Sequence, residues 1–344
     1  MSKRPRRSTL SDVARRANVS STTVSRFLNQ SGPVSEDIRQ RIEAAMSALN
    51  YQPKRNSSKT VPEGSIAILL GDFLNPFFTE VVRGIQDETE HYSMVVTLYG
   101  LTDHPQRQHQ LLQRLSKQRL DGVVLMGTPP FPELVAWQTR QQVPLIILNR
   151  RICQPGTYCI MVDFENAIYR ATQHLINLGH TRVGYLGLNQ WDIGLARQRG
   201  FEKALTEAGL ALHPEWYISM PPGREIDGGF QAMQTLLSLP QGERPTAVIA
   251  FNDVMALGAL HAVRVQGLSV PKDISIIGVD DIFASAHAHP PLTTINQPKY
   301  RMGVLAIQIL YQLKQGQADL SSNYTLMESP LIVRESTGPA PQTS

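Results

Sequence analysis

Two cysteines in 344 residues, Cys153 and Cys159, are too few for a disulfide framework, and with no CxxC spacing and no histidine cluster beside them they outline no metal site. The pair His287 and His289 has no third ligand at a recognisable spacing. Free thiols, no metal and no cofactor are the expectation. Long apolar runs are missing too. None approaches the ~20 residues of a membrane-spanning helix, and the start, Met1-Ser2-Lys3-Arg4-Pro5-Arg6-Arg7, has no apolar segment of the signal-peptide kind. The expected location is the cytoplasm, with no membrane partner. Also absent are a Walker-type phosphate loop, a GxGxxG turn and a GxSxG elbow, which removes the readiest grounds for reading an enzyme.

Acids are scarce at the front of the chain. The first sixty residues hold twelve Lys and Arg against four acids, a net +8; against +4 for the whole chain, this leaves −4 for the remaining 284. A small basic domain joined to a mildly acidic one is the footprint of a nucleic-acid binder with a separate ligand or partner domain. Within the basic part, Leu10, Val13, Ala14 and Ala17 mark one helical face. Val24, Phe27 and Leu28 mark another, with a turn at Asn18-Val19-Ser20 between them. Thr9 with Asp12 has capping-box spacing, and Ser20 suits the N-cap of the second helix. That helix exposes Ser21, Thr22, Ser25 and Arg26, short hydrogen-bonding groups plus one guanidinium, suited to base edges and phosphates in a major groove. A third helix from Ser35 offers Ile38, Ile42, Ala45 and Leu49 to cover the first two. The pattern is a helix-turn-helix domain over residues 1–50.

Residues 51–64 are polar and bounded by prolines, a linker. From Ser65 the regime changes. Short apolar runs at Ile66–Leu70, Met94–Tyr99, Val123–Met126 and Leu145–Leu148 alternate with helical patterns at Thr79–His91 and Arg107–Gln118. The rhythm repeats with Val183–Leu186, Trp216–Ile218, Ala247–Phe251 and Ser275–Val279 among helices near Asn166–Leu178, Ala196–Ala208 and Val254–Gln266. Buried continuous strands separated by helices imply parallel sheets, here two doubly wound α/β units. Polar or turn-like segments near Asp163–Asn166 and Thr293–Pro298, and last strands near Tyr324–Met327 and Leu331–Val333, let the chain cross between them. The expected division of the core, 65–337, is an N-subdomain of 65–164 with 297–324 and a C-subdomain of 165–293 with 325–337. A tail of 338–344 follows.

Ligands of open α/β sheets bind at the carboxyl ends of strands. The residues standing there are Asp72, Phe73, Phe77 and Phe78, then Asn149 and Arg150, then Asn252 and Asp253, then Asp280 and Asp281. Aromatic faces mixed with Asn, Asp and Arg suit a polyhydroxylated ligand, although turn or cap chemistry explains any single one as well.

With these residues placed, the chain from Thr9 to about Arg334 resembles the lactose-repressor (LacI/GalR) family of bacterial transcription regulators. The marks are Asp12-Val13-Ala14, Thr23-Val24-Ser25-Arg26, Leu49-Asn50-Tyr51 with Pro53, and Asn75-Pro76-Phe77-Phe78. They continue with Asp121-Gly122-Val123, Leu178-Gly179-His180, Phe251-Asn252-Asp253, Gly278-Val279-Asp280-Asp281 and Pro291-Leu292-Thr293-Thr294-Ile295. The resemblance implies a periplasmic-binding-protein-like core and a homodimer on a pseudo-palindromic operator in double-stranded DNA. Matching DNA-contact positions are Thr9, Ser20, Ser21, Thr22, Ser25, Arg26, Asn29 and Tyr51 in the headpiece and Arg55, Lys59, Thr60 and Val61 in the linker. Matching effector contacts are Phe73, Phe77, Phe78, Asn149, Arg197, Asn252 and Asp280, for a small molecule of the carbohydrate class, with a purine or another metabolite as the alternative.

Two departures stand out. Thr60 occupies the position where the family wedges a leucine into the minor groove, so either Val61 serves or the hinge binds through Lys59 and Arg55 without intercalation. Residues 336–344 offer no leucine heptads, which fits a dimer without a tetramerising tail. The competing readings are a sugar-processing enzyme and a transport-type binding protein built on the same lobes. The first lacks a catalytic motif, and the second leaves the basic helix-turn-helix without a use.

Overall fold

A computed structural model describes residues 9–28, 34–49, 51, 64–102, 104–127, 131–152, 154–188, 192–316 and 323–342. The chain divides into two compact units, Met1–Val61 and Pro62–Ser344.

In the first unit, α1 (Leu10–Ala17) starts from a complete capping box. The Thr9 hydroxyl accepts from the Asp12 N–H at 3.3 Å, and the Asp12 carboxylate accepts from the Thr9 N–H at 2.9 Å. The helix ends at Asn18, in the left-handed region with φ 53°. The following α2 (Ser21–Leu28) opens under Ser20, whose Oγ accepts from the Thr23 N–H at 3.0 Å. Against these two packs α3 (Glu36–Ala48). Val13, Ala14, Ala17, Val24, Ile42 and Ala45 form the buried centre. Arg41 of α3 reaches back to the exposed end of α1, donating from Nε and Nη2 to the Ala17 carbonyl at 3.1 and 2.7 Å. A guanidinium on the last carbonyls of a helix satisfies orphan acceptors and opposes the helix dipole.

The second unit holds two lobes. In the first, β1 (Gly64–Leu70), α4 (Pro76–His91), β2 (Met94–Gly100), α5 (Pro105–Leu115), β3 (Gly122–Met126), α6 (Pro132–Gln141), β4 (Leu145–Leu148) and β5 (Thr157–Val162) follow in order. The chain then crosses over. The second lobe runs through α7 (Phe164–Asn177), β6 (Val183–Gly187), α8 (Asp192–Glu207), β7 (Tyr217–Ser219), α9 (Glu225–Leu237), β8 (Ala247–Ala250), α10 (Asp253–Val265), β9 (Ser275–Asp280), α11 (Phe283–Ala286) and β10 (Thr293–Asn296). A return crossing leads to α12 (Lys299–Lys314) and β11 (Tyr324–Met327), and a final crossing leads to β12 (Leu331–Ile332).

Among the described residues the sheets have the orders β11-β5-β4-β3-β1-β2 and β12-β10-β9-β8-β6-β7. All pairings are parallel except β10 with β12. Strands such as Val123–Met126 and Ala247–Ala250 are buried along their whole length because helices cover both faces, which is why they read as unbroken apolar runs.

The structure moves four sequence-derived boundaries. Residues Tyr324–Met327 pair with β5 in register Tyr324↔Cys159, so the first lobe extends to Met327 instead of ending at 324. The segment from Thr293, read as turn-like, is a strand of the second lobe's sheet through Asn296, because Thr293 and Thr294 turn their hydroxyls to Thr337 and the buried Asp253. The expected tail is packed down: the Ala340 N–H donates to the Leu178 carbonyl at 2.9 Å, and His180 Nε2 lies 3.0 Å from the Gly338 carbonyl. Gly64 belongs to β1, so residue 64 leaves the linker. Cys159 is buried in β5; Cys153 lies outside the described residues.

Candidate functional site

The exposed face of α2 and the interlobe cleft belong to different units. On α2 the buried Val24 fixes the helix rotation, which leaves Ser21, Thr22 and Arg26 exposed and Ser25 half-buried. Thr9 and Ser20 spend their hydroxyls on the helix caps. Tyr51 packs half-buried on the headpiece centre, and its N–H donates to the Met46 carbonyl at 2.9 Å. Asn29, Arg55, Lys59, Thr60 and Val61 lie outside the described residues.

The cleft is built where parallel strands of both lobes end. Asn75 leaves β1 and caps α4, its Oδ1 accepting from the Phe77 N–H at 2.9 Å. Asn252 leaves β8 and caps α10 in the same way, accepting from the Met255 N–H at 2.8 Å. The cap fixes each side chain's oxygen, which leaves its amide N–H groups for other partners. Asn149, directly after β4, has φ 58°, and Asp280, the last residue of β9, has φ 118°. Such positive φ at non-glycine residues costs about 1–3 kcal/mol each and survives only where the surroundings hold it.

Here one side chain on a crossover holds both residues. Gln297 donates from Nε2 to Asp280 Oδ1 at 2.5 Å and accepts on Oε1 from Asn149 Nδ2 at 2.8 Å. Asn75 Nδ2 stands 3.5 Å from Asp280 Oδ2, a second link from lobe to lobe. Lys299, at the start of α12, donates to the Asp280 and Asp281 carbonyls at 2.7 and 2.6 Å.

Arg197 comes up from α8 almost fully buried, 4% exposed. Its guanidinium lies between two rings, 4.1 Å from the Phe164 centroid and 4.0 Å from that of Phe251, and Nη1 donates to the Phe251 carbonyl. Arg197 Nε and Asn149 Oδ1 are buried and find no partner among the described residues. A buried polar atom left this way costs about 1–3 kcal/mol, so donor and acceptor together mark where a ligand would bind. Burial raises the Asp280 carboxyl to about 6, opposed by Arg197, Gln297, Asn75 and Lys299.

Asn75, Asn149, Arg197, Asn252, Asp280 and Gln297 line a cavity of about 80 Å³ together with Phe77, Phe78, Phe251, Ile193 and Arg150. Of the expected effector contacts, Phe77, Phe78, Asn149, Arg197, Asn252 and Asp280 come together there. Phe73 does not: it stands 58% exposed on the β1–α4 loop, outside the cavity lining. Two other strand-end acids fall to structural roles. Asp253 accepts from the Ile282 N–H and the Ser285 and Thr294 hydroxyls at 2.9, 2.6 and 2.5 Å, and Asp281 pairs with Arg334 at 2.6 Å. The sequence reading missed Asn75 as a lining residue, and it missed Gln297. Asn75 was legible as the residue before Pro76-Phe77-Phe78; Gln297 carries no local signal. Among the described residues no group of three or more His, Cys, Asp or Glu side chains is placed to hold a metal ion, and no helix is long and apolar enough to cross a membrane.

Residues 9–54 match the family described as bacterial regulatory proteins, lacI family, and residues 172–337 match the periplasmic binding protein-like domain. The chain is 35% identical over 342 residues to the HTH-type transcriptional repressor CytR of Escherichia coli (strain K12), covering 97% of each. It is 35% identical over 308 residues to the HTH-type transcriptional repressor PurR of Aliivibrio fischeri (strain MJ11), covering 88% of this chain and 91% of that one. Among solved structures it resembles the transcriptional regulator CelR in complex with cellobiose, at 29% identity and TM-score 0.72 over 96% of this chain and 100% of that one. It also resembles a LacI family transcriptional regulator from Enterococcus faecium with bound ribose, at 27% identity and TM-score 0.70 over 80% of this chain and 99% of that one.

Proposed function

The chain belongs to the lacI family of bacterial regulatory proteins and is a DNA-binding transcriptional regulator, not an enzyme; from that premise we propose that it is a repressor whose operator affinity is set by a neutral sugar held between the two lobes. The observation that carries the reading is Gln297. It sits on a crossover and bonds at once to Asn149 of the first lobe and Asp280 of the second. A ligand hydroxyl that engages Asn149 Oδ1 or Asp280 therefore acts on the same network that links the lobes, and closure is transmitted to the crossings.

A sugar suits the chemistry. Asp280 is an acceptor, Arg197 is a donor held rigid between two rings, and Asn149 and Asn252 each offer groups that pair with hydroxyls, while Phe77 and Phe78 meet edge to face at 5.0 Å beside them. The protein acts in the cytoplasm as a homodimer, since an inverted-repeat operator is read by two headpieces related by a two-fold axis. The edge strand β2 exposes Val95 and Leu98, apolar side chains that a second copy would cover. Ser21, Thr22 and Arg26 read base edges and phosphates. In the hinge, Arg55, Lys59, Thr60 and Val61 meet the minor groove. Ligand closure changes the spacing of the hinges and releases DNA.

Selection of bound DNA from a random pool by the full-length protein tests the first half. An enriched inverted repeat supports the reading, and no enrichment with or without sugars removes it. Arg26→Ala is expected to weaken binding to the selected repeat by about 5- to 150-fold, the loss of about 1–3 kcal/mol for a bidentate or phosphate contact. Unchanged affinity would remove Arg26 from the interface.

A further inference from the structure

A second chamber opens beside the sugar site. It holds about 340 Å³ against about 80 Å³ for the inner one, and Asn75, Phe78, Phe251 and Asn252 are walls of both. We propose that the ligand is a two-part glycoside, with its sugar in the inner chamber and an uncharged or cationic group bearing N–H or O–H donors in the outer one. This rests on the sugar reading above and names the chemistry of the rest of the molecule.

The outer chamber takes walls from each lobe. Leu101 and Pro222 supply apolar contact from opposite sides, Asp72 and Glu225 supply carboxylates, and Thr102 contributes a hydroxyl. A free monosaccharide making its bonds in the inner chamber would leave this larger space to solvent and would give up the contact that closure brings. A group linked through the sugar's anomeric carbon fills it and is clamped by both lobes.

The polar groups specify what that group carries. Asp72 Oδ1 accepts from the Leu74 N–H at 2.8 Å, and Glu225 Oε1 accepts from the Gly223 N–H at 3.1 Å. Asp72 Oδ2 and Glu225 Oε2 have no partner among the described residues, and the buried Thr102 Oγ1 has none there either. Carboxylates only accept, so the outer group must donate. No Lys or Arg lines this chamber among the described residues, so a phosphate or carboxylate placed there would face two like charges without compensation.

Calorimetric titration of the full-length protein near neutral pH tests this. The probes are D-ribose, D-glucose, cytidine, adenosine, cellobiose and free adenine, followed by the p-aminophenyl and p-carboxyphenyl β-glycosides of ribose and glucose. The expected result is that at least one glycoside binds about tenfold or more tightly than its own free sugar, and that the p-aminophenyl member of its pair binds about tenfold or more tightly than the p-carboxyphenyl member. Glu225→Lys should reverse that last preference. Free sugars that bind as tightly as their glycosides, or equal binding of the two aryl glycosides, would overturn the two-part ligand while leaving the sugar site intact. Binding of adenine alone, or of none of the probes, would overturn the sugar reading and the two-part ligand with it.

Discussion

Asp253 and Asp280 are both buried carboxylates, and the bonds around them separate their roles. Asp253 is closed off by three donors from Ile282, Ser285 and Thr294 and holds the α10 start to the β9–β10 region. Asp253→Ala leaves those donors unpaired, so the core should lose on the order of 3 kcal/mol or more. A melting temperature equal to the parent's would contradict that role. Asp280 keeps its bonds to Gln297 and faces the cavity. Burial raises it to about 6, against the opposing effects of Arg197, Gln297, Asn75 and Lys299. As an ionised acceptor it should hold sugar affinity above that value. Affinity should fall as the pH is lowered from about 7.5 to about 5 and the carboxyl takes up a proton, and calorimetry at the two pH values checks it. A pH-independent affinity would mean that Asp280 does not accept from the ligand. Sequence position at strand ends brought both acids, and Asp281, into view. It could not tell a ligand acceptor from a structural one, because that depends on which donors the fold brings to each carboxylate. Gln297 was invisible for the same reason: its partners are Asn149 and Asp280, far away in sequence.

At the scale of elements, strands read most clearly, since parallel sheets covered on both faces leave continuous apolar runs. Helix α9 was missed. Its sequence Glu225–Leu237 carries Gly228 and Gly229, which disfavour a helix locally by about 1 kcal/mol each. The fold uses small residues where α9 meets α10: a Cβ on Gly229 would lie 2.0 Å from the Met255 carbonyl oxygen, and one on Gly258 would lie 2.0 Å from that of Ile226. Gly258→Ala therefore sets a helix-propensity gain of about 1 kcal/mol against overpacking of about 1–3 kcal/mol, with backbone on the far side that cannot rotate away. The clash should win and the melting temperature should drop; a rise would show that the two helices separate at little cost. Strands β11 and β12 were both found, and β12 was assigned to the lobe whose sheet it joins, but β11 was not. Assigning β11 to the first sheet needs its register with β5, a pairing between residues far apart in sequence.

For the whole molecule, two units of opposite charge divide the work of a regulator. In the proposed reading the +8 front meets phosphates and the mildly acidic core takes a ligand between its lobes, which three crossings join among the described residues. DNA affinity should accordingly fall with salt, with a log-log slope of about −0.9 per phosphate contact. In the proposed mechanism the units are joined energetically by differential binding: sugar and operator each favour one lobe arrangement, and each must shift the other's affinity by the same factor. The measurement that tests this most directly is operator affinity of the full-length protein at fixed salt, with and without each sugar and glycoside named above, for the parent and for Arg197→Met. The account predicts that at least one compound weakens operator binding by about 5- to 150-fold, the span of 1–3 kcal/mol, and that Arg197→Met keeps operator affinity but loses the response. A response that survives in Arg197→Met, or operator affinity indifferent to every compound that the core binds, would contradict it.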